Sequence, residues 1–384
     1  MVRAFANAHS HAFHRALRGR VTGADSFWTW RKQMYALAAR LDPDLLFELA
    51  AATYTEMRLA GIRVVGEFHY LHHDVNGRPY ADPNAMGEAM IAAARDAGLH
   101  ICLLDACYLA GGFDPSTEPV LSLSKGSGHR LPEGVQIRFS DGEAERWAVR
   151  VADLAARYAG ATDVVIGTAI HSVRAVPRDQ LSTVATAFPD APLHVHVSEQ
   201  PAENADCQAA TGLTPVELLG EAGAWTPRTT AVHAIHLSDG DVSLLGAAGS
   251  YVCLCPSTEA ELADGIGPTV ALRNAGAQLT LGSDSNTVID MFAEARAAEM
   301  HHRLLTGHRG GWSADQLWAA ATSTGRASLG FPADAQIELA SSVRTAGAAE
   351  LLWAASAADV VPDQDPAAVA ERLDRAIAAC WAAR

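Results

Sequence analysis

Eight short runs of β-branched and apolar residues recur along this chain, each closing on polar side chains, and that recurrence constrains the fold more than any other feature. The runs cover residues 5–11, 62–70, 100–108, 164–171, 193–199, 230–236, 251–257 and 279–284. Alanine-rich stretches with helical spacing lie between most of them, clearest at 43–60, 84–97, 142–158, 178–187 and 215–222. Alternating strands and helices imply a parallel sheet, and eight such units imply a closed (β/α)8 barrel of the α/β class. Ala-Gly pairs at 60–61, 97–98, 222–223 and 275–276 suit helices that end on a left-handed residue. Helical patterns at 290–305 and 314–329 would complete the ring. Residues 1–330 are therefore expected to form the barrel. Residues 331–384 are expected to form a mostly helical tail, with an amphipathic helix at 366–383, packed on the barrel.

The polar residues fall at the C-terminal ends of runs 1, 2, 4, 5, 6 and 8, the face on which such barrels build active sites. His9 and His11 end the first run; side chains two apart on a strand share a face about 7 Å apart, close enough to reach one metal ion. His196 with Glu199, His233 and Asp284 end later runs. A third imidazole and a carboxylate would complete an N/O site suited to zinc, with iron or manganese also open. Within run 5, His194 and His196 share a face. His196 lies nearer the active end and is the expected ligand, while His194 would sit deeper. His233 is preferred to His236 by the same reasoning. Asp284 has a competing reading as the N-cap of the next helix. The long connections 12–42 and 109–141 could cover the site as lids; the first carries Phe27, Trp28 and Trp30. The histidines at 69, 72 and 73 have no role in this scheme.

A divalent metal lowers the pKa of bound water to about 7. Beside it, Glu199 is placed to take the proton and pass it to a departing amine. Asp284 can hold the water as well as the metal, and His233 can stabilise charge on the electrophile. The chemistry expected is hydrolytic attack on an sp² carbon bearing nitrogen.

Composition narrows the partners. The net charge of −15 argues against sequence-independent binding to nucleic acid or anionic lipid, and an anionic substrate would need local arginines. The six cysteines include no C-x-x-C pair and read as buried reduced thiols of a cytoplasmic protein. No run is long and apolar enough to span a membrane as a helix.

The run Asn7-Ala8-His9-Ser10-His11-Ala12-Phe13 resembles the first-strand motif of the amidohydrolase superfamily, and His196-x-x-Glu199, His233 and Gly282-Ser283-Asp284 resemble its mononuclear deaminase branch. Three further words, at 26–31, 66–70 and 169–174, are similar to those of the formimidoylglutamate deiminases. These convert N-formimidoyl-L-glutamate to N-formyl-L-glutamate and ammonia in histidine degradation. The resemblance runs from about residue 4 to about 330. It implies a metal-dependent hydrolase barrel in which His9, His11, His196 and Asp284 hold one zinc, while Glu199 and His233 act on water and imine. It also implies that Arg31, Tyr70, His171 and Arg174 bind the two substrate carboxylates. Arginine suits that task through its bidentate fork.

The chain departs from that pattern in three places. His14 stands in the substrate wall where a glutamine is common, and Asn286 stands where a histidine is usual; either could change which formimidoyl compound fits. The segments that form an accessory β-sandwich in relatives are expected to be largely or wholly missing, with the terminal helix or a homodimer contact covering the bared flank. Three readings stay open: a formimidoylglutamate deiminase, a diverged amidohydrolase acting on or forming a formimidoyl, amidine or imine group of another metabolite, and a metal-free binding barrel.

Overall fold

The computed structural model describes residues 1–20, 27–113, 129–332, 335–343 and 347–382. Eight parallel strands form the core: β1 (Phe5–Ser10), β2 (Ile62–His69), β3 (His100–Cys107), β4 (Val164–Ile170), β5 (Leu193–Val197), β6 (Thr229–His233), β7 (Tyr251–Leu254) and β8 (Gln278–Leu281). Each pairs with its sequence neighbour. Helices cover the outside of this sheet and side chains fill the inside, so β1 is buried at every residue and β2 to β5 nearly so. The ring closes where β8 returns to β1. The Asp284 N–H donates to His9 O at 3.0 Å, and the His11 N–H donates to Asp284 O at 2.9 Å.

Local signals explain the element ends. Asp42 caps helix Pro43–Leu59 by accepting from the Leu45 N–H at 2.9 Å, and Pro43 occupies the first turn. All four expected left-handed glycines adopt positive φ: Gly61 at 86°, Gly98 at 70°, Gly223 at 76° and Gly276 at 116°. The stretch expected as one helix at 314–329 is interrupted, with Ala314–Ala319 and Gly325–Ser328 flanking a π-helical turn, Ala320–Thr324, that lies against β1. The connection 12–42 is more ordered than a loop. It holds a 3-10 turn, Ala12–Leu17, and a helix, Phe27–Ala38, while 21–26 lie outside the described residues.

Beyond residue 330, Gln336–Ile337 pairs antiparallel with Val2–Arg3, a ribbon of two residues per strand. Helix Pro366–Trp381 buries Val369, Leu373, Ala376 and Cys380, a stripe at helical spacing, and packs on helix Pro43–Leu59. Residue 383, where that helix was expected to end, lies outside the described residues. The Trp381 indole N–H donates to Ala16 O at 2.9 Å, and the guanidiniums of Arg20 and Arg40 lie 5.1 and 5.8 Å from its ring.

Ring closure leaves no room beside β1. A Cβ on Gly282 would lie 2.7 Å from both Cβ and O of His9 and 2.9 Å from its N. Because backbone atoms cannot move aside cheaply, Gly282→Ala should destabilise the fold by about 1–3 kcal/mol. Urea unfolding of the purified variant measures this; an unchanged midpoint would show that the β1–β8 seam tolerates the methyl group.

Candidate metal and substrate site

The site begins with the seam. Ser283 is held from both sides: its N–H donates to Asn7 Oδ1 at 2.9 Å, and Asn7 Nδ2 donates to Ser283 Oγ at 2.6 Å. Ser283 Oγ donates to Asn286 Oδ1 at 2.6 Å, and Asn286 Nδ2 donates to Ser10 Oγ, His11 O and Asp284 O at 3.0–3.2 Å. Asn286 is fully buried and does not line the cavity. It braces the end of β8, so any influence on substrate fit acts through the seam and not by contact. Asp284 is not the cap of the following helix, because Asp290 caps Met291–Thr306.

The seam brings four donor atoms together. His9 Nε2 lies 3.2 Å from His196 Nε2 and 3.5 Å from Asp284 Oδ1. His11 Nε2 lies 3.4 Å from both His196 Nε2 and Asp284 Oδ1. The edge of a regular tetrahedron with bonds of about 2.0–2.1 Å, the usual zinc–nitrogen and zinc–oxygen lengths, is about 3.3–3.4 Å. These four spacings are close to that edge, while His196 and Asp284 stand on opposite sides of the cluster with no contact between them within ion-pair distance, so the four donors surround one point without forming a regular tetrahedron. The rings of His9 and His11 sit 4.9 Å apart, closer than a regular strand would place them, because the β1–β2 register shifts between Asn7 and Ser10 and His11 lies past the strand end.

Second contacts aim the rings. Nδ1 of His11 donates to Phe68 O and Nδ1 of His196 to His171 O, both at 2.9 Å, leaving each Nε2 lone pair facing its neighbours. Burial lowers the pKa of His9, His11 and His196. Burial alone would raise that of Asp284, but His9, His11 and His233 outweigh it and hold the carboxylate ionised. Neutral imidazoles and one carboxylate are the protonation states a metal requires.

Glu199 and His233 stand beside this cluster. His233 Nε2 lies 3.9 Å from Glu199 Oε1 and 4.0 Å from Asp284 Oδ2, and its Nδ1 lies 3.3 Å from Glu259 Oε1. Burial would lower the His233 pKa, but Glu199, Glu259 and Asp284 raise it above the usual range. Burial raises the Glu199 carboxyl, opposed by His233 and Arg174. Left-handed backbone at Ser198 (φ 53°), His233 (φ 68°) and Asp284 (φ 45°) turns these side chains inward, at a cost of order 1–3 kcal/mol each. His236 instead turns to Asp264 O at 2.8 Å and is not a lining residue.

One cavity joins this cluster to the remaining expected residues. Arg31, Tyr70, His171, Arg174 and His14 all line it, together with His11, His196, Glu199, His233 and Asp284. His14 Nε2 lies 3.0 Å from the Tyr70 hydroxyl, and burial holds its pKa down to about 3. Burial, Arg174 and Arg31 likewise keep His171 neutral. Arg174 Nε lies 3.5 Å from the buried Glu203, and Arg31 Nε donates to the Tyr35 hydroxyl at 2.8 Å. Both long connections reach the cavity, through Trp30 and Met34 from the first and Phe113 and Phe139 from the second. Ser26, the side chains of Phe27 and Trp28, and 114–128 lie outside the described residues.

Several residues here were not singled out from sequence. Tyr108 follows β3, and Glu259 sits four residues past Cys255, whose N–H it accepts at 2.8 Å. Strands 3 and 7 therefore also contribute, and the polar residue after each run was the available signal. Glu67 is buried beneath the first histidine pair and accepts from the Ala12 N–H at 2.7 Å; burial raises its pKa to about 8. His194 is buried below the site, its ring 6.3 Å from that of His9. The histidines 69, 72 and 73 do not line the cavity. They border a buried ion network in which Arg150 bridges Asp105 and Asp141 at 2.7–2.9 Å, with His73 3.1 Å from Asp141.

With this geometry in hand, comparison with known proteins decides the family. The model of the amidohydrolase family matches residues 1–335. The chain belongs to the amidohydrolase family. It is 38% identical over 338 residues to formimidoylglutamate deiminase of Pseudomonas aeruginosa, covering 85% of this chain and 71% of that protein. It is 30% identical over 313 residues to 8-oxoguanine deaminase of the same organism, covering 78% and 64%. An amidohydrolase structure from Brucella melitensis superposes with a TM-score of 0.87 at 31% identity, covering 99% of this chain and 90% of that one. An adenosine deaminase from Xanthomonas campestris, solved with bound zinc, shares the fold at a TM-score of 0.78 and 21% identity, covering 98% and 84%. The family is metal-dependent, and the donor set described above fits such an ion.

Ligand and acid–base roles separate experimentally. His196→Ala should empty the metal site, read by elemental analysis. Glu199→Gln should keep the metal and lose about 10²–10⁴-fold in turnover. A Glu199→Gln variant with near-normal turnover would move the proton transfer to another group.

Proposed function

We propose that this protein is a zinc-dependent formimidoylglutamate deiminase, converting N-formimidoyl-L-glutamate and water to N-formyl-L-glutamate and ammonia. One observation carries the reading: a single cavity is lined by His11, His196 and Asp284, with His9 3.2–3.5 Å behind them, by the acid–base pair Glu199 and His233, and by Arg31 and Arg174. The similarity to the P. aeruginosa deiminase supports the same substrate. Residues 1–330 then act as the catalytic barrel and 331–384 as a tail on its flank. Six free buried cysteines suit a reducing compartment and support a cytoplasmic reaction.

His9, His11, His196 and Asp284 would hold the ion. When bound, it acidifies water to a pKa of about 7 and so supplies the nucleophile at neutral pH. Glu199 takes the proton from that water and later delivers it to the nitrogen of the departing amine. His233, kept protonated by three carboxylates around it, donates to the developing charge. A C–O bond forms at the formimidoyl carbon, its C–N bond to the terminal nitrogen breaks, and ammonia leaves. His171 and Tyr70 with Arg31 and Arg174 fix the substrate carboxylates. Neutral His14, bonded to Tyr70, adds no charge to the wall.

His14 also favours a second reading, an amidohydrolase acting on another formimidoyl or amidine compound, because an imidazole bonded to Tyr70 lines the wall where the resemblance implies a glutamine. Ammonia release from formimidoylglutamate and from amidines lacking one carboxylate decides between them. Arg174→Met should lower kcat/KM for formimidoylglutamate by about tenfold to a hundredfold, the worth of one charged hydrogen bond, and affect an uncharged amidine much less. Wild-type protein that releases ammonia only from uncharged amidines would favour the second reading.

A further inference from the structure

Arg31 and Arg174 match two carboxylates in number, but the charge of Arg174 is partly committed. Arg174 already faces the buried Glu203 at 3.5 Å. A third arginine lines the same cavity: Arg130, in the ribbon that pairs Gly112–Phe113 with His129–Arg130. Among the described residues no carboxylate lies within ion-pair distance of it, and its side chain makes no hydrogen bond. It is exposed, and it also lines an outer recess shared with Arg31 and Lys32. Arg130 therefore stands at the mouth of the cavity, on the side away from the metal donors.

The ribbon holds Arg130 in place. The Gly111 N–H donates to Arg130 O at 2.7 Å, and the Leu109 and Ala110 N–H groups donate to Ala175 O at 2.7 and 2.8 Å. His129 Nε2 donates to Val173 O at 2.9 Å. These bonds tie the ribbon to the loop that carries His171 and Arg174. Gly112, at φ 130°, lets the guanidinium lie close: a Cβ there would come within 3.3 Å of Nη2.

We propose that Arg130 is a specificity residue that binds the side-chain carboxylate of the substrate, the one farthest from the formimidoyl carbon. The inference rests on the deiminase reading above. With the reacting carbon at the metal donors, the backbone-side carboxylate falls near His171 and Arg174, and the distal one reaches the mouth where Arg130 and Arg31 meet. An arginine there forms a bidentate pair with a carboxylate that an uncharged end group cannot replace.

Steady-state ammonia release by wild type, Arg130→Met and Arg130→Lys tests this, with N-formimidoyl-L-glutamate and N-formimidoyl-L-2-aminobutyrate, which lacks the distal carboxylate, as substrates. Arg130→Met should raise KM for the dicarboxylate by about tenfold to a hundredfold with kcat within a few-fold. Arg130→Lys should recover part of that loss. KM for the monocarboxylate should not change, and metal content should match wild type. Calorimetric binding of N-formyl-L-glutamate should weaken by a similar factor. An unchanged KM for the dicarboxylate, or equal losses on both substrates, overturns the assignment while leaving the deiminase reading intact. Wild type that turns over only the monocarboxylate overturns both.

Discussion

The pairing of Asp284 with the end of β1 is the constraint on which the site depends. The two backbone hydrogen bonds between Asp284 and residues 9 and 11 close the barrel. The residues that make them also carry three of the four donors proposed to hold the metal. Architecture and candidate coordination are thus a single contact, and Asn7, Ser283 and Asn286, all fully buried, serve it by satisfying each other's polar groups. A buried amide network of this kind stays rigid only when every member is paired. The left-handed turns at Asp284 and Asn286 are tolerated because that network over-determines them.

Around the seam, burial sorts the histidines by charge. His9, His11, His14, His171 and His196 are pushed toward the neutral form, while His233 alone is drawn the other way by three carboxylates. One cavity therefore offers lone pairs at one wall and a proton donor at the next. The arginines extend the gradient outward. In a chain of net charge −15 they make the cavity wall a local exception to the long-range field.

Most of this was legible before any coordinates. Eight runs of apolar residues named the eight strands, because a parallel sheet buried on both faces leaves continuous hydrophobic stretches. The four clustered side chains were legible as candidate metal donors because each ends such a run on the same face. What sequence concealed depended on backbone geometry. Asn286 was noted only as standing where a histidine is usual, and a left-handed turn two residues after Asp284 sends it into the seam. The convergence of His9 and His11 comes from a register shift that no spacing rule contains. Arg130 was invisible because its place follows from a short ribbon across a long connection, and Glu259 because its partner His233 is distant in sequence. The π-helical turn at Ala320–Thr324 was hidden as well: helical spacing does not distinguish it from the helices on either side.

The docking of Trp381 joins the last helix to the first turn after β1. Its indole binds the carbonyl of Ala16, two residues from His14, and two arginines from the first connection lie against its ring. The wall of the cavity is in this way buttressed from the far end of the polypeptide. Loosening of this helix would therefore reach the cavity wall through Ala16 and be felt as poorer discrimination among substrates.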